Sequence, residues 1–465
     1  MAIGVYLIAL LAISVLYINY AMMWYWWLFG IVEVVGFFYY ANYLSKTWSV
    51  LSERQFRRSL FSMAFVIRLF AMLFLYWFFT IMNGQPFMFA AADSLGYHET
   101  AEWFVMMLRE GNFLGIWNSQ QGVSDLGYPL YLSFVYLLTD NSIIAVRLLK
   151  VLWSSLTCIL VYRIAQRNFG EPVGRMAAIF CMLMPNLIYY CGVHLKETEM
   201  TFLLMAFAER ADYVIRKERY EVASFASAIL LGVSLFTFRT VLGAAAMFSF
   251  IVALVFTNQR VASLGRRWLM LIAVAVVALY FVGGRIFGEM QDYWDMRDTN
   301  QETRLEDRAR KGNVLAKYAG AAVFAPMIFT LPFPTMVETP NQETSRLIHG
   351  GNVVKNIMSG LVLFAFFMMI MSGWWRGNIF QGDWRNHIFI IALLVAYLGI
   401  LALSAFAHAE RFHMPAIPLE MIFAAVGVSK MTTQRYRRFF TVWCLIMFVA
   451  FIGWNWFKMR GRGWA

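Results

Sequence analysis

Apolar runs of about twenty residues recur along the chain, separated by short gaps rich in Lys and Arg. A helix needs about 20 predominantly apolar residues to cross a bilayer. The pattern places such helices at 2–20, 22–42, 60–82, 142–164, 176–192, 198–214, 221–237, 241–257, 268–284, 353–373, 387–407, 414–430 and 439–457. The expected fold is therefore an all-α polytopic membrane protein with about 13 spans. The first run starts at Ala2 with no basic segment before it and no small-residue cleavage site after it. It reads as a membrane helix and not as a removed signal peptide.

Two stretches are too long to be connectors, 83–141 and 285–352. Long loops in compact architectures are usually functional. The first contains Pro86, Gly96, Gly111, Gly122, Gly127 and Pro129, and ends in a short apolar stretch from Tyr131 to Leu138. That stretch is too short to cross and reads as a helix lying at the interface. The second opens with charges from Arg285 to Lys311 and continues apolar, with Pro326, Pro332, Pro334 and Pro340, as a lid hugging the membrane would. The organisation expected is 1–59, two N-terminal spans and a basic loop; 60–284, a core carrying the first long loop; 285–352, a loop or lid; and 353–465, the C-terminal spans.

Composition excludes the soluble alternatives. Hydrophobic residues make up 61% and charged residues 14% of 465 positions, against about 45–50% and about 25% in a water-soluble chain. A soluble enzyme, a DNA-binding domain, a disordered tail and a disulfide-rich secreted module are all ruled out. The net charge of +12 implies no nucleic acid, because no basic stripe with a matching fold accompanies it. The basic residues gather in gaps instead: Lys46, Arg54, Arg57 and Arg58; Arg167 and Arg175; Arg216, Lys217 and Arg219; Arg260, Arg266 and Arg267; Arg435, Arg437 and Arg438. With the spans above, all five gaps fall on one side, which the positive-inside rule makes cytoplasmic. Both long loops then face outward. The tail Lys458, Arg460 and Arg462 disagrees, since it too lies outside. The four cysteines, Cys158, Cys181, Cys191 and Cys444, lie in or beside apolar segments and read as small buried side chains.

Candidate chemistry collects at the outward ends. The segment Ala92 to Ala101 opens the first long loop and carries Asp93, Tyr97, His98 and Glu99. Asp93, Tyr97 and Ala101 share one helix face by their spacing. A carboxylate there can take a proton from an attacking hydroxyl; it can equally be an ordinary helix N-cap. The turn Gly192 to Glu199 holds His194, Lys196, Glu197 and Glu199 on the same side. Charges at a bilayer boundary are costly unless paired or used. Arg147 and Lys150, Arg239, Arg285, and the cluster His408, Glu410, Arg411 and His413 add cations at that side, and guanidinium suits phosphate. Glu33 and Arg68, both inside spans, are functional candidates as intramembrane charges, or else pair with each other between the second and third spans. No HExxH pattern is present; a divalent metal bridging Asp93, Glu197 and a histidine is an option the residues leave open.

The chain resembles the GT-C membrane glycosyltransferases, in particular the protein O-mannosyltransferase and lipid A aminoarabinose transferase group. The resemblance rests on Asp93 with Tyr97 and Ala101, then Gly127-Tyr128-Pro129-Leu130, Ala145-Val146-Arg147-Leu148, Phe169-Gly170, Glu197 five before Phe202, and Arg411-Phe412-His413-Met414-Pro415 followed by Pro418. It covers roughly 60–255 closely and 400–430 loosely. Two departures stand out. Ser94 follows Asp93 where the family often has a second acid, and no lysine precedes the interfacial helix near Tyr128, so phosphate contacts fall to residues such as Lys196 or Arg239.

The resemblance implies a polyprenyl-phosphate-linked sugar donor, an acceptor glycan, lipid or protein, and an inverting displacement at the extracytoplasmic face of the inner (cytoplasmic) membrane. Asp93 and Glu197 are then the catalytic candidates. Lys196, Arg147, Arg239, Arg285 and Arg411 are candidates for the donor phosphate, and Tyr97, His98, His194 and His413 for the sugar or acceptor. Two alternatives are an O-antigen-type polymerase or ligase, which the Arg411/His413 cluster would suit, and a transporter or flippase. The missing internal repeat and the clustering of charge at one face weigh against a transporter.

Overall fold

The computed structural model describes residues 1–89, 92–117, 123–217, 221–256, 268, 270–276, 288, 291, 332–338, 343–374, 384–403 and 410–460. Among these the secondary structure is helical, with one isolated antiparallel bridge between Ala21 and Val337. Eighteen α-helices are numbered in the order in which they appear below.

The chain opens with α1 (Ala2–Leu16), α2 (Trp24–Thr47) and α3 (Glu53–Asn83). The basic gap expected at 43–59 is thus mostly helical. Ser52 ends the link, because its side chain accepts from the Gln55 N–H while Gln55 answers the Ser52 N–H, a reciprocal cap that starts α3. Gly84 closes α3 in the left-handed conformation at φ 73°.

The first long loop is folded into α4 (Ala92–Arg109), α5 (Phe113–Trp117) and α6 (Val123–Thr139). The interfacial helix expected at 131–138 is longer than its apolar stretch, running back through Asp125. Gly127 makes this possible. A Cβ there would lie 2.4 Å from Thr237 Oγ1, so α6 reaches its neighbour only because that position is bare.

Next come α7 (Ile143–Phe169), α8 (Glu171–Leu183), α9 (Pro185–Gly192), α10 (Glu197–Arg216), α11 (Val222–Phe238) and α12 (Thr240–Phe256). The span expected at 176–192 is broken into α8 and α9, with a bend of 48°. Pro185 is the cause: it lacks an N–H and pushes Met184 into an extended conformation at ψ 114°.

The remainder comprises α13 (Glu343–Leu347), α14 (His349–Trp374), α15 (Ile388–Leu403), α16 (Glu410–His413), α17 (Ile417–Lys430) and α18 (Thr433–Arg460). Five described helices are long and apolar enough to cross a membrane, or six with the bent pair, and five more apolar helices are 10–17 residues long. The protein is an all-α, multi-pass membrane protein.

The expected pairing of Glu33 with Arg68 is not formed. Arg68 is buried and donates to Ser154 Oγ at 2.6 Å and to the carbonyls of Met182 and Cys181 at 3.1 and 3.3 Å. Met182 and Cys181 lie at the end of α8, where the break at Pro185 leaves carbonyls without helical donors. Glu33 accepts from the Gly351 N–H at 2.9 Å, a carboxylate set on the N-terminus of α14. The helices touch there: a Cβ on Gly350 would lie 2.5 Å from Glu33 Oε2 and 2.7 Å from Gly30 Cα.

The basic tail of α18 has a local use. Lys458 is buried and donates to Thr335 Oγ1 at 2.5 Å. Asn455 receives the Met336 N–H at 2.9 Å and donates to the Pro334 carbonyl at 3.2 Å. The Glu338 N–H reaches the Tyr20 carbonyl at 2.7 Å. Residues 332–338 are therefore strapped between the end of α1 and the end of α18. All four cysteines are free and buried, as expected.

Candidate active site

Three cation–carboxylate pairs meet where α4, α6 and the start of α10 come together with the residues after α11 and in α16. Asp93, in the first turn of α4, binds the Arg411 guanidinium across 318 positions of sequence. Asp125, near the start of α6, receives Lys196 Nζ at 2.5 Å. Glu197, the first residue of α10, faces Arg239 at 3.7 Å.

Aromatic side chains bind the three pairs together. Arg239 lies 4.4 Å and Arg411 5.1 Å from the centre of the Phe412 ring, so one ring supports two guanidinium groups. Tyr97, one turn after Asp93, donates to Asp125 Oδ1 at 3.3 Å, and its ring lies 5.6 Å from Lys196 Nζ. Burial, followed by the charges of Asp125, Glu197 and Asp93, pushes the Tyr97 phenol up, so it stays a proton donor.

Exposure differs within the group. The side chains of Asp93 and Asp125 are both 47% exposed, whereas those of Glu197 and Lys196 are almost wholly enclosed. Burial lowers the Lys196 ammonium from its usual range, and the neighbouring Arg239 adds to that; Asp125 opposes it. Burial would also lower Arg411, but the bond to Asp93 outweighs it and raises the guanidinium above its usual value. Glu197 Oε2 is buried without a hydrogen-bond partner among the described residues.

A second polar group adjoins this one through an edge contact of Tyr97 with Tyr128, 5.1 Å between ring centres. His98 Nδ1 and the Tyr136 hydroxyl are 2.7 Å apart, and His194 Nε2 lies 3.4 Å from the same hydroxyl. His194 is fully buried. Its imidazole is held well below the usual range by burial, then by the charges of Lys150, Arg147 and His98. Lys150 is bound to Glu199 at 2.9 Å and to the Leu195 carbonyl.

The expected site residues therefore divide. Asp93, Tyr97, Lys196, Glu197, Arg239 and Arg411 converge. His98 and His194 form the adjoining group. Arg147 stands outside the three pairs, near enough to His194 for its charge to act there: it donates to the Pro86 carbonyl and lies 5.2 Å over the Tyr76 ring, with its Nε and Nη1 buried and without a hydrogen-bond partner among the described residues. His413 is turned toward α14, with Nδ1 3.0 Å from Lys355 Nζ. Arg285 and His408 lie outside the described residues. Asp125 is the member that sequence reasoning missed. Its one signal is an acid two positions before Gly127 in the Gly-Tyr-Pro-Leu motif. Among the described residues no three His, Cys, Asp or Glu side chains gather as a metal-ligand group, and Asp93 and Glu197 are each held by an arginine.

Comparison with known families decides the class. Residues 126–284 match the dolichyl-phosphate-mannose-protein mannosyltransferase family, and residues 337–461 match the Alg9-like mannosyltransferase family. The chain is a GT-C membrane glycosyltransferase. It is an enzyme that depends on a polyprenyl-phosphate-linked sugar. The first match takes in Lys196, Glu197 and Arg239, and the second takes in Arg411 and His413. No curated protein matches the chain. The GT-C glycosyltransferase thus draws its charged cluster from both matched regions and from Asp93 and Asp125, which precede them.

Proposed function

We propose that the protein transfers a sugar, of the mannose type for which both matching families are named, from a polyprenyl phosphate to an acceptor hydroxyl at the extracytoplasmic face of the cytoplasmic membrane. The observation that carries this reading is the convergence of Asp93, Glu197, Lys196, Arg239 and Arg411 beside the folded first loop. A lipid-linked donor suits it, since the carrier stays dissolved in the bilayer while its phosphate meets the cations.

The chemistry is one in-line displacement at the anomeric carbon with inversion. Asp93 removes the acceptor proton as the new C–O bond forms. The bond to the phosphate oxygen breaks, and Arg411, Arg239 and Lys196 stabilise the charge that develops on the departing phosphate. The phosphate leaves without needing a proton, so no general acid is required. Glu197 holds Arg239 in place. Tyr97, His98 and His194 offer hydroxyl and imidazole groups to the sugar or acceptor. The acceptor is a glycan, lipid or protein carrying a free hydroxyl.

Membranes containing the protein, supplied with a labelled polyprenyl-phosphate-linked mannose, should release polyprenyl phosphate as labelled product forms. Release that persists unchanged in Asp93→Asn would refute Asp93 as the base. Labelling of a cysteine at Asn112, an exposed position after α4, by an impermeant reagent tests the facing. Reaction only after the membrane is opened would reverse the orientation.

A further inference from the structure

Lys196, Arg239 and Arg411, the three cations assigned above to the donor phosphate, each face a carboxylate of the chain itself: Asp125, Glu197 and Asp93. Three positive and three negative groups leave the cluster close to neutral. An entering phosphate must then compete for its ligands. The carboxylates best placed to yield are Asp93 and Asp125, each 47% exposed, since they regain water when released; Glu197 is enclosed and stays.

We propose that the donor phosphate displaces Asp93 from Arg411 and Asp125 from Lys196, and that this exchange frees Asp93 to act as a base. The inference rests on the phosphate-binding role given above to these cations. It makes Asp125 a resting counterion of the donor site and imposes an order, donor before acceptor.

Two arguments support the exchange. Asp93 Oδ2 accepts from the Arg411 guanidinium, so an acceptor hydroxyl must compete with Arg411 for that oxygen until something takes the guanidinium away. The charge balance of the step also agrees. The donor is a phosphodiester with one negative charge, and the product phosphate monoester carries two once fully ionised. The proton taken from the acceptor neutralises Asp93, so the summed charge of the cluster is the same before and after transfer. With the phosphate already on Arg411, its second negative charge develops beside a guanidinium no longer committed to Asp93.

The test uses the full chain in lipid nanodiscs, titrated with a polyprenyl monophosphate. Asp93→Asn and Asp125→Asn keep the shape of each side chain and remove the competing charge. Each variant should bind the monophosphate roughly threefold to tenfold more tightly than the parent, as expected for losing one competing ion pair at a partly exposed site. Asp93→Asn should do so while losing transfer. Parental binding that neither substitution tightens overturns the inference and leaves the glycosyltransferase reading intact. Absence of monophosphate binding in all three proteins overturns the phosphate site and the inference together. Thermal melting of each variant confirms that the comparison is between folded proteins.

Discussion

Glu197 meets Arg239 at 3.7 Å through one carboxylate oxygen, while its other oxygen is enclosed without a hydrogen-bond partner among the described residues. A carboxylate left half-satisfied in an enclosed site is costly, and that cost is one reason to give the residue a functional role. Glu197→Gln should cut transfer while Arg239→Ala should also lower stability, by about 3–5 kcal/mol where the remaining charge stays buried. Initial rates and thermal melting in the same detergent separate the two effects.

Asp93→Asn should reduce transfer by about 10²- to 10⁴-fold, the range associated with loss of a general base. The side chain is half exposed, so folding should be spared. Parental melting together with parental turnover would remove the base from the mechanism.

Gly127→Ala should damage the enzyme without touching a charged group. The added methyl would stand 2.9 Å from the Thr237 backbone as well as against its hydroxyl. Overpacking of this kind costs about 1–3 kcal/mol, and relief requires α6 to move away from α11. Asp125 rides on α6, so its bond to Lys196 should loosen. The expected result is a lower melting temperature together with altered binding of polyprenyl phosphate.

Glu410 supplies a pH-dependent prediction. Burial raises its carboxyl to about 7, against the opposing bond from Asn352 Nδ2 at 2.7 Å. A carboxyl raised in the fold is fully stabilising below its unfolded value of about 4.5, and that contribution is lost as pH rises through 7. Glu410→Gln cannot ionise. The stability difference between parent and variant should therefore shift in favour of the variant between these two values and level off above them. Melting curves across that range that stay parallel would show that Glu410 ionises as easily in the fold as in the unfolded chain.

Much of the fold was legible because lipid imposes one simple pattern, and the apolar runs coincide with helices wherever the residues are described. Asp93, Lys196, Glu197 and Arg411 were legible for a related reason, since charge in so apolar a chain is conspicuous. The remainder depended on partners that sequence does not display. Glu33 is satisfied by a backbone N–H 318 positions away, and peptide groups carry no side-chain signature. Asp125 looks like any loop acid until Lys196, 71 positions later, is folded against it. The break at Pro185 had a signal in the proline itself, but a hydropathy window averages over a single missing donor.

The bend at Pro185 has a bearing on catalysis. A straight rod through α8 and α9 would carry the chain farther from its starting point before releasing it at Gly192. The kink turns that path aside by 48°, and the turn bearing Lys196 and Glu197 comes to rest against Tyr97 of α4 and Asp125 of α6. A proline thus helps to set where two charges stand, and with it which carboxylates and rings they meet.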